Sequence, residues 1–364
     1  MERSAVDSDP DRAGRLIVVG LSSTGLRSAP RWWSAPLLVA VLASILGPGP
    51  ASAAAPRDWL TPTLAASPGS LAYAAMAYHA GRGDMILFGG YNGAGIVSET
   101  WRYDETTWTK LSPAHQPSPR DDVAMGYDAK HAQLILFGGY AATGGPLGDT
   151  WRWTGTDWKR LSPKHHPGPR WGAAMTYDAA RRQLVLFGGN GGTTEYNDTW
   201  VWTGSDWSKR SPAHHPSVRD SAAVAYDAKR KQVVLFGGFG ATPNLAETWL
   251  WNGSDWKRVD PATNPPGRIG GRMAYDPGTR RTVLFGGTVF TGSFPIPGLA
   301  DTWTWNGTTW SHPSPAHVPA GRSYSAMAYD PEAHGVLLFG GLSQITASDF
   351  GGTPLGDTRL YHAP

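Results

Sequence analysis

The side chains that could do chemistry are few, and most of them stand where a regular pattern breaks. Trp171 directly follows Arg170, whereas the other tryptophans beyond the first fifty residues fall into two fixed frames of a repeat. Tyr73, Asp122, Arg272 and Tyr324 occupy nearby positions of that repeat without matching their counterparts in other copies. A second group follows paired glycines: Tyr91, Tyr140, Asn190, Glu195, Tyr196, Phe239, Phe290, Phe294, Asp349 and Phe350. Aromatic faces beside polar groups suit a sugar or a peptide, the rings stacking and the fixed polar atoms orienting. Proton transfer at a sugar carbon would need a poised carboxylate, for which Asp122, Glu195 and Asp349 are the candidates. The competing reading of each residue is that it packs a loop or plugs a narrow funnel.

Other chemistries are closed by composition. There is no cysteine, which excludes thiol nucleophiles, disulfides, thiolate metal sites and a lipoprotein anchor. His115, His165, His166, His214, His215 and His317 recur in a Ser-Pro-x-His pattern. Histidines one repeat apart stand too far from each other to place three or four ligands about 2 Å from one ion. No metal and no cofactor is therefore expected. No Ser-His-Asp order is legible, and the Gly-Gly pairs lack the Lys and Ser or Thr of a phosphate-cradling loop.

The elements that position these residues come from repetition. Leu134-Ile135-Leu136-Phe137-Gly138-Gly139 returns in near copies whose phenylalanines fall at 88, 137, 187, 236, 285 and 339, at intervals of 49, 50, 49, 49 and 54 residues. A period near 50 marks a repeat architecture. One unit runs Val123 to Asp128, Leu134 to Phe137, Thr150 to Trp153 and Asp157 to Arg160, short apolar runs bounded by Gly, Pro and Asp. This reads as four strands, a to d, in a meander. Sheets apolar on both faces must be covered on both, and stacking copies around an axis does so. The expectation is an all-β, six-bladed β-propeller over residues 54–364, with the alanine-rich strand a innermost and the tryptophans of strands c and d between blades. The last copy stops at strand c, while Arg57-Asp58-Trp59-Leu60 matches a strand d. The N-terminal strand is therefore expected to complete the last blade.

Residues 1–53 read differently. Arg27 and Arg31 precede an apolar run from Ala35 to Leu46, followed by Ala51-Ser52-Ala53, an A-x-A pattern. The run is shorter than the roughly 20 residues that span a bilayer. The expectation is a signal cleaved near Ala53, a secreted or periplasmic product, and no stable membrane span after cleavage. The remainder holds 27 basic and 25 acidic residues, which is no nucleic-acid signature. A monomer is expected.

A strand ending in Gly-Gly, a Trp or Tyr on strand c and a Trp on strand d at this period resemble the Kelch repeat, within the Kelch and galactose-oxidase-like propellers. The resemblance covers about residues 57–364 and implies a fold that hosts enzymes, glycan readers and protein scaffolds alike. The copper centre of galactose oxidase needs a Cys-crosslinked Tyr, which this chain cannot supply. Gly307-Thr308-Thr309-Trp310 resembles the tail of a sialidase Asp-box, but Trp305 stands where the Asp belongs. Periplasmic Kelch epimerases of sialic acid are similar in architecture. The function expected is a binding module for an extracellular glycan or protein on the loop face; the alternatives are a mutarotase- or epimerase-like enzyme using a funnel carboxylate, and a structural envelope component.

The meander places the Arg before strand a, the Gly-Gly, the b–c loop and the acid before strand c on one face. The Arg recurs at 120, 170, 219, 268 and 322, and the acid at 99, 149, 198, 247, 301 and 357. Residues in nearly every copy serve the repeat, here as charge-assisted hydrogen bonds holding loops. The opposite face carries Lys130, Arg181, Arg182, Lys229, Arg230, Lys231, Arg280 and Arg281 in the a–b hairpins, which could touch an anionic polymer or simply solvate turns.

Overall fold

A computed structural model describes residues 57–347 and 351–362. The expected signal at 1–53 lies outside these residues, as do Asp349 and Phe350. Among the described residues there is no helix, and six four-stranded antiparallel sheets account for most of the strands. In one of them Ala124–Asp128 pairs Gln133–Phe137, which pairs Thr150–Trp153, which pairs Trp158–Leu161, the meander read from the repeat.

Strand a is innermost. Ala75–His79, Ala124–Asp128, Ala174–Asp178, Ala223–Asp227, Arg272–Asp276 and Ala326–Asp330 each touch the next, and the last touches the first. Backbones crowd at an axis, and the alanines before and along these strands leave them the room. Strand b is almost wholly buried, with Leu134, Ile135, Leu136 and Phe137 at 1% exposure or less. Each strand d tryptophan donates its indole N–H to the threonine that opens strand c of the preceding sheet. The six bonds run Trp108–Thr358, Trp158–Thr100, Trp207–Thr150, Trp256–Thr199, Trp310–Thr248 and Trp59–Thr302, all at 2.9 or 3.0 Å. The indole thus fills the widening gap between sheets while its one polar atom is satisfied.

The ring closes as the sequence implied. Asp58–Leu60 pairs antiparallel with Thr358–His362 and becomes the outer strand of the last sheet.

The linker histidines have a structural task. In His115, His165, His214 and His317 the backbone N–H and the ring Nδ1 both meet one aspartate, respectively Asp157, Asp206, Asp255 and Asp58, at 2.6–2.8 Å. Each aspartate belongs to the strand d entry of the following sheet, so every pair ties one blade's exit to its neighbour. The two other junctions use backbone alone: Trp310 N donates to Thr263 O and Trp108 N to Ala66 O.

Candidate functional site

Two residues before each innermost strand stands a residue with positive φ: Tyr73, Asp122, Gly172, Ser221, Gly270 and Tyr324, between 47° and 64°. The left-handed turn aims each N–H along the ring rather than up the strand. Asp122 N donates to Tyr73 O, Gly172 N to Asp122 O, Ser221 N to Gly172 O, Gly270 N to Ser221 O, Tyr324 N to Gly270 O and Tyr73 N to Tyr324 O, at 2.8–3.0 Å. Six backbone hydrogen bonds therefore close an annulus around the axis. It satisfies six amides that would otherwise be stranded at the mouth, and it holds four non-glycine residues in a conformation they disfavour.

One residue earlier, each blade pairs its backbone with the residue just after its Gly-Gly: Ala72 with Tyr91, Asp121 with Tyr140, Trp171 with Asn190, Asp220 with Phe239, Ile269 with Thr288 and Ser323 with Leu342. The two groups of candidate residues, far apart in the repeat, are brought together by these pairings. The second glycine makes them possible: a Cβ on Gly139 would stand 2.6 Å from Asp121 O.

The mouth is asymmetric. On one side the Tyr324 and Tyr73 rings pack with their centroids 4.3 Å apart, tilted at 35°. The Tyr324 ring lies over Gly270, where a Cβ would come within 2.9 Å of it. Burial, then the charges of Asp122 and Asp220, pushes the Tyr324 hydroxyl up, so it stays a neutral donor. Across the axis, Asp122 and Asp220 converge over Gly172: a Cβ there would stand 3.0 Å from Asp122 Oδ2 and 3.1 Å from Asp220 Cβ. Arg272 occupies a position that is alanine in the other five blades (Ala75, Ala124, Ala174, Ala223, Ala326). It donates Nε–H to Ser325 O at 2.9 Å and holds Nη2 3.6 Å from Asp122 Oδ1. Asn190 Nδ2 donates to Asp220 Oδ2 at 3.3 Å. Trp171 meets Tyr140 edge to face at 5.2 Å, and Tyr140 is 36% exposed.

Three carboxyls here are displaced upward. Burial raises Asp121 to about 7, with the charge of Asp122 adding to it. Burial raises Asp220 to about 6, offset in part by its bond with Ser221. Burial also raises Asp122, opposed by Arg272. Beneath them the axial cavity is about 110 Å³, walled by the annulus, alanines and methionines.

Of the residues singled out from sequence, Tyr73, Asp122, Arg272 and Tyr324 meet at the mouth, with Trp171, Tyr140 and Asn190 beside them. Glu195 bridges Asn190 and acts on Asp220 through its charge. Tyr196 is spent elsewhere: the buried Arg170 guanidinium lies 3.8 Å over its ring. Tyr91 turns its hydroxyl back to Gly93 O in its own loop at 2.9 Å. Phe239, the backbone partner of Asp220, turns its ring edge to face against Phe290 at 6.2 Å. Sequence reasoning missed Asp121, Asp220 and Ser221. The signal was present, because Asp121 and Asp220 occupy the repeat position of Trp171 and each follows the recurrent arginine.

A ring of four-stranded meanders with glycine-pair exits and a loop-face mouth is a β-propeller. Residues 75–215 match the family described as the KLHDC2/KLHL20/DRC7 Kelch-repeats domain. The solved structure titled "Structure of YjhT" is similar at 18% sequence identity with a TM-score of 0.62, over 82% of this chain and 96% of that one. At that identity the likeness concerns the fold. No curated protein sequence matches the chain.

Proposed function

We propose that the chain is an exported, six-bladed Kelch-type propeller that binds a carbohydrate across the axial mouth of its loop face. The observation that carries this reading is the convergence of Asp122 and Asp220 over Gly172, with Asn190 and Arg272 beside them and the Trp171–Tyr140 pair at the rim. Carboxylate, amide and guanidinium groups held in fixed directions match the hydroxyls of a sugar, and the rings supply an apolar face. Export rests on Arg27, Arg31, the apolar run and the A-x-A pattern.

A glycan and cell-wall polymer array tests the reading, followed by titration of the best hit. Trp171→Ala is expected to weaken binding at least tenfold, about 1.4 kcal/mol, with the Tm within about 2 °C of the parent. Unchanged affinity would remove Trp171 from the site, and binding of proteins but no glycan would favour the protein-ligand reading.

A second reading has its own observation: Asp121 near 7 and Asp220 near 6 can give and take protons at neutral pH. Such a mouth could interconvert anomers or epimers of the sugar it binds. The sign of Asp121's effect on stability is fixed. Its folded-state pKa lies above the ordinary value of 3.8, so the folded state holds the proton more tightly, and stability falls as pH rises from about 4 through about 7. Asp121→Asn is therefore expected to raise the Tm at pH 8 and leave it nearly unchanged at pH 4. If the same variant slows saturation-transfer exchange of the array's best ligand, the enzymatic reading stands; exchange at the uncatalysed rate with the parent protein would overturn it.

A further inference from the structure

The face opposite the mouth carries a second feature, independent of the proposed carbohydrate site. In three successive blades the a–b hairpins hold Arg181 and Arg182, then Lys229, Arg230 and Lys231, then Arg280 and Arg281. These hairpins interlock. Arg181 Nη1 donates to Lys231 O at 2.7 Å, and Arg230 Nη1 donates to Arg280 O at 3.2 Å, so the three loops form one continuous surface.

The acids of this region are already neutralised. Asp178, Asp227 and Asp276 are fully buried and paired with Arg181 at 3.3 Å, Arg230 at 2.8 Å and Arg57 at 3.0 Å. Asp206 and Asp255 on the neighbouring c–d turns are held by His165 and His214. The fifth blade's turn, Asn306 to Thr309, has no acid. Four bases remain exposed with no acidic partner among the described residues: Arg182, Lys229, Lys231 and Arg280. The hairpins of the sixth and first blades differ, with Glu332 in one and glycines at 81 and 83 in the other.

The backbone supplies a further observation. Arg182, Lys231 and Arg280 have φ of 58°, 58° and 55°, at the hairpin position where the first blade uses Gly83 at 69°. Ala132 and His334 share this strain in the second and sixth blades, so the turn tolerates a Cβ. Glycine nevertheless suits the conformation best, and a turn that needed only solvation would lose nothing by having it. In three adjacent blades the position instead carries a long cation.

We infer that this face binds a linear anionic polysaccharide, its carboxylate or sulfate groups lying along the hairpins of the third, fourth and fifth blades. A polysaccharide fits better than a nucleic acid because, among the described residues, no exposed aromatic ring stands among the bases for a nucleobase to stack on. The tyrosines beneath, Tyr226 and Tyr275, accept the Ala180 and Lys229 amides through their hydroxyls.

The test uses the full chain and the triple variant Arg182→Gly, Lys231→Gly, Arg280→Gly, which relieves the left-handed strain and so keeps the fold. The parent is expected to bind heparin and polygalacturonate with affinity that falls steeply with salt, because cations release condensed counterions. The triple variant is expected to bind at least tenfold more weakly at 0.1 M NaCl, with a shallower salt dependence and a Tm equal to or above the parent's. A variant retaining positive charge, Arg182→Lys with Arg280→Lys, should bind as the parent does. Three outcomes would overturn the proposal: no binding of either polymer by the parent at 50 mM NaCl, equal binding by parent and triple variant, or single-stranded DNA of equal charge binding as tightly as the polysaccharides. Trp171→Ala is expected to leave this binding unchanged, so failure of this surface and failure of the mouth are separately visible.

Discussion

Deleting residues 54–62 is expected to lower the Tm by ten degrees or more. The strand Asp58–Leu60 is the outer edge of the last sheet, with Trp59 opposite Tyr361 in register. Trp59 is 1% exposed, packs against Phe285 at 4.9 Å between centroids and donates to Thr302 in the preceding blade at 2.9 Å. On either side of it, Arg57 meets Asp276 at 3.0 Å and Asp58 holds His317 at 2.6 Å. Removing a buried tryptophan alone costs about 3–5 kcal/mol. At roughly 2–4 °C per kcal/mol, Trp59→Ala should by itself shift the midpoint on the order of ten degrees. The deletion adds the loss of a sheet edge, of the Arg57–Asp276 ion pair and of the Asp58 bonds to His317. Trp59→Phe, which keeps the ring but not the bond to Thr302, should fall between. A melt unchanged by the deletion would show that the ring closes without its clasp.

The second large effect is expected at the recurrent arginines. Arg170 is 1% exposed and grips Asp198 through Nη1 at 2.6 Å and Nη2 at 3.3 Å, while Nη1 also donates to Gly188 O. The same fork recurs at Arg120–Asp149, Arg268–Asp301 and Arg322–Asp357, and in single-pronged form at Arg219–Glu247. The first blade departs from the pattern: Leu71 replaces the arginine, and Glu99 takes Lys110 instead while keeping the strand c indole bond that the acids at 149, 198, 247 and 301 also accept. Arg170→Met is expected to cost about 3–5 kcal/mol, because it strands a half-buried carboxylate. Adding Asp198→Leu should recover a large part, since the penalty belongs to the uncompensated charge.

The same forks set an acid limit. At Asp149, Asp198, Glu247, Asp301 and Asp357, burial by itself would raise the carboxyl, but the arginine bonds outweigh it and each lies below its ordinary value, Asp357 at about 2. A depressed folded-state pKa stabilises the protein fully above the unfolded value near 4 and ceases to do so as pH falls through the folded value. Thermal melts across pH 5 to 2 should therefore show most of their loss below pH 4, and Arg170→Met should flatten that slope. An equal slope in parent and variant would separate the acid transition from these bonds.

Much of this architecture could be read in one dimension because a repeat is its own alignment. Six copies of the Phe-Gly-Gly stretch mark the strand ends, the alanines mark the crowded axis, and the orphan Asp58-Trp59-Leu60 completes a blade that lacks one strand. The same comparison picked out Tyr73, Asp122, Arg272 and Tyr324 as departures from the pattern, and the structure gathers all four at the mouth. It failed where two residues departed together: Asp121 and Asp220 both follow an arginine and support each other as a minor pattern, so neither stood out. It also counted Tyr196 and Tyr91 toward the site, although one covers Arg170 and the other closes its own turn. Exposure of a loop aromatic depends on which neighbour reaches it, and repeat position does not carry that information.

The amino-acid order by itself determined the four-strand order of the repeated sheets, the face on which loops vary and the closure at the N-terminus, but not the short extra strands of the loop face. These follow from local periodicity and from apolar faces that can be covered in only one way. Only the tertiary structure decided what the mouth is. The annulus of six backbone hydrogen bonds, the meeting of Asp122 and Asp220 over Gly172, and the upward displacement of Asp121 all join residues at least one repeat apart or depend on burial. Distances across an axis and the loss of water around a carboxyl exist only once the ring has closed.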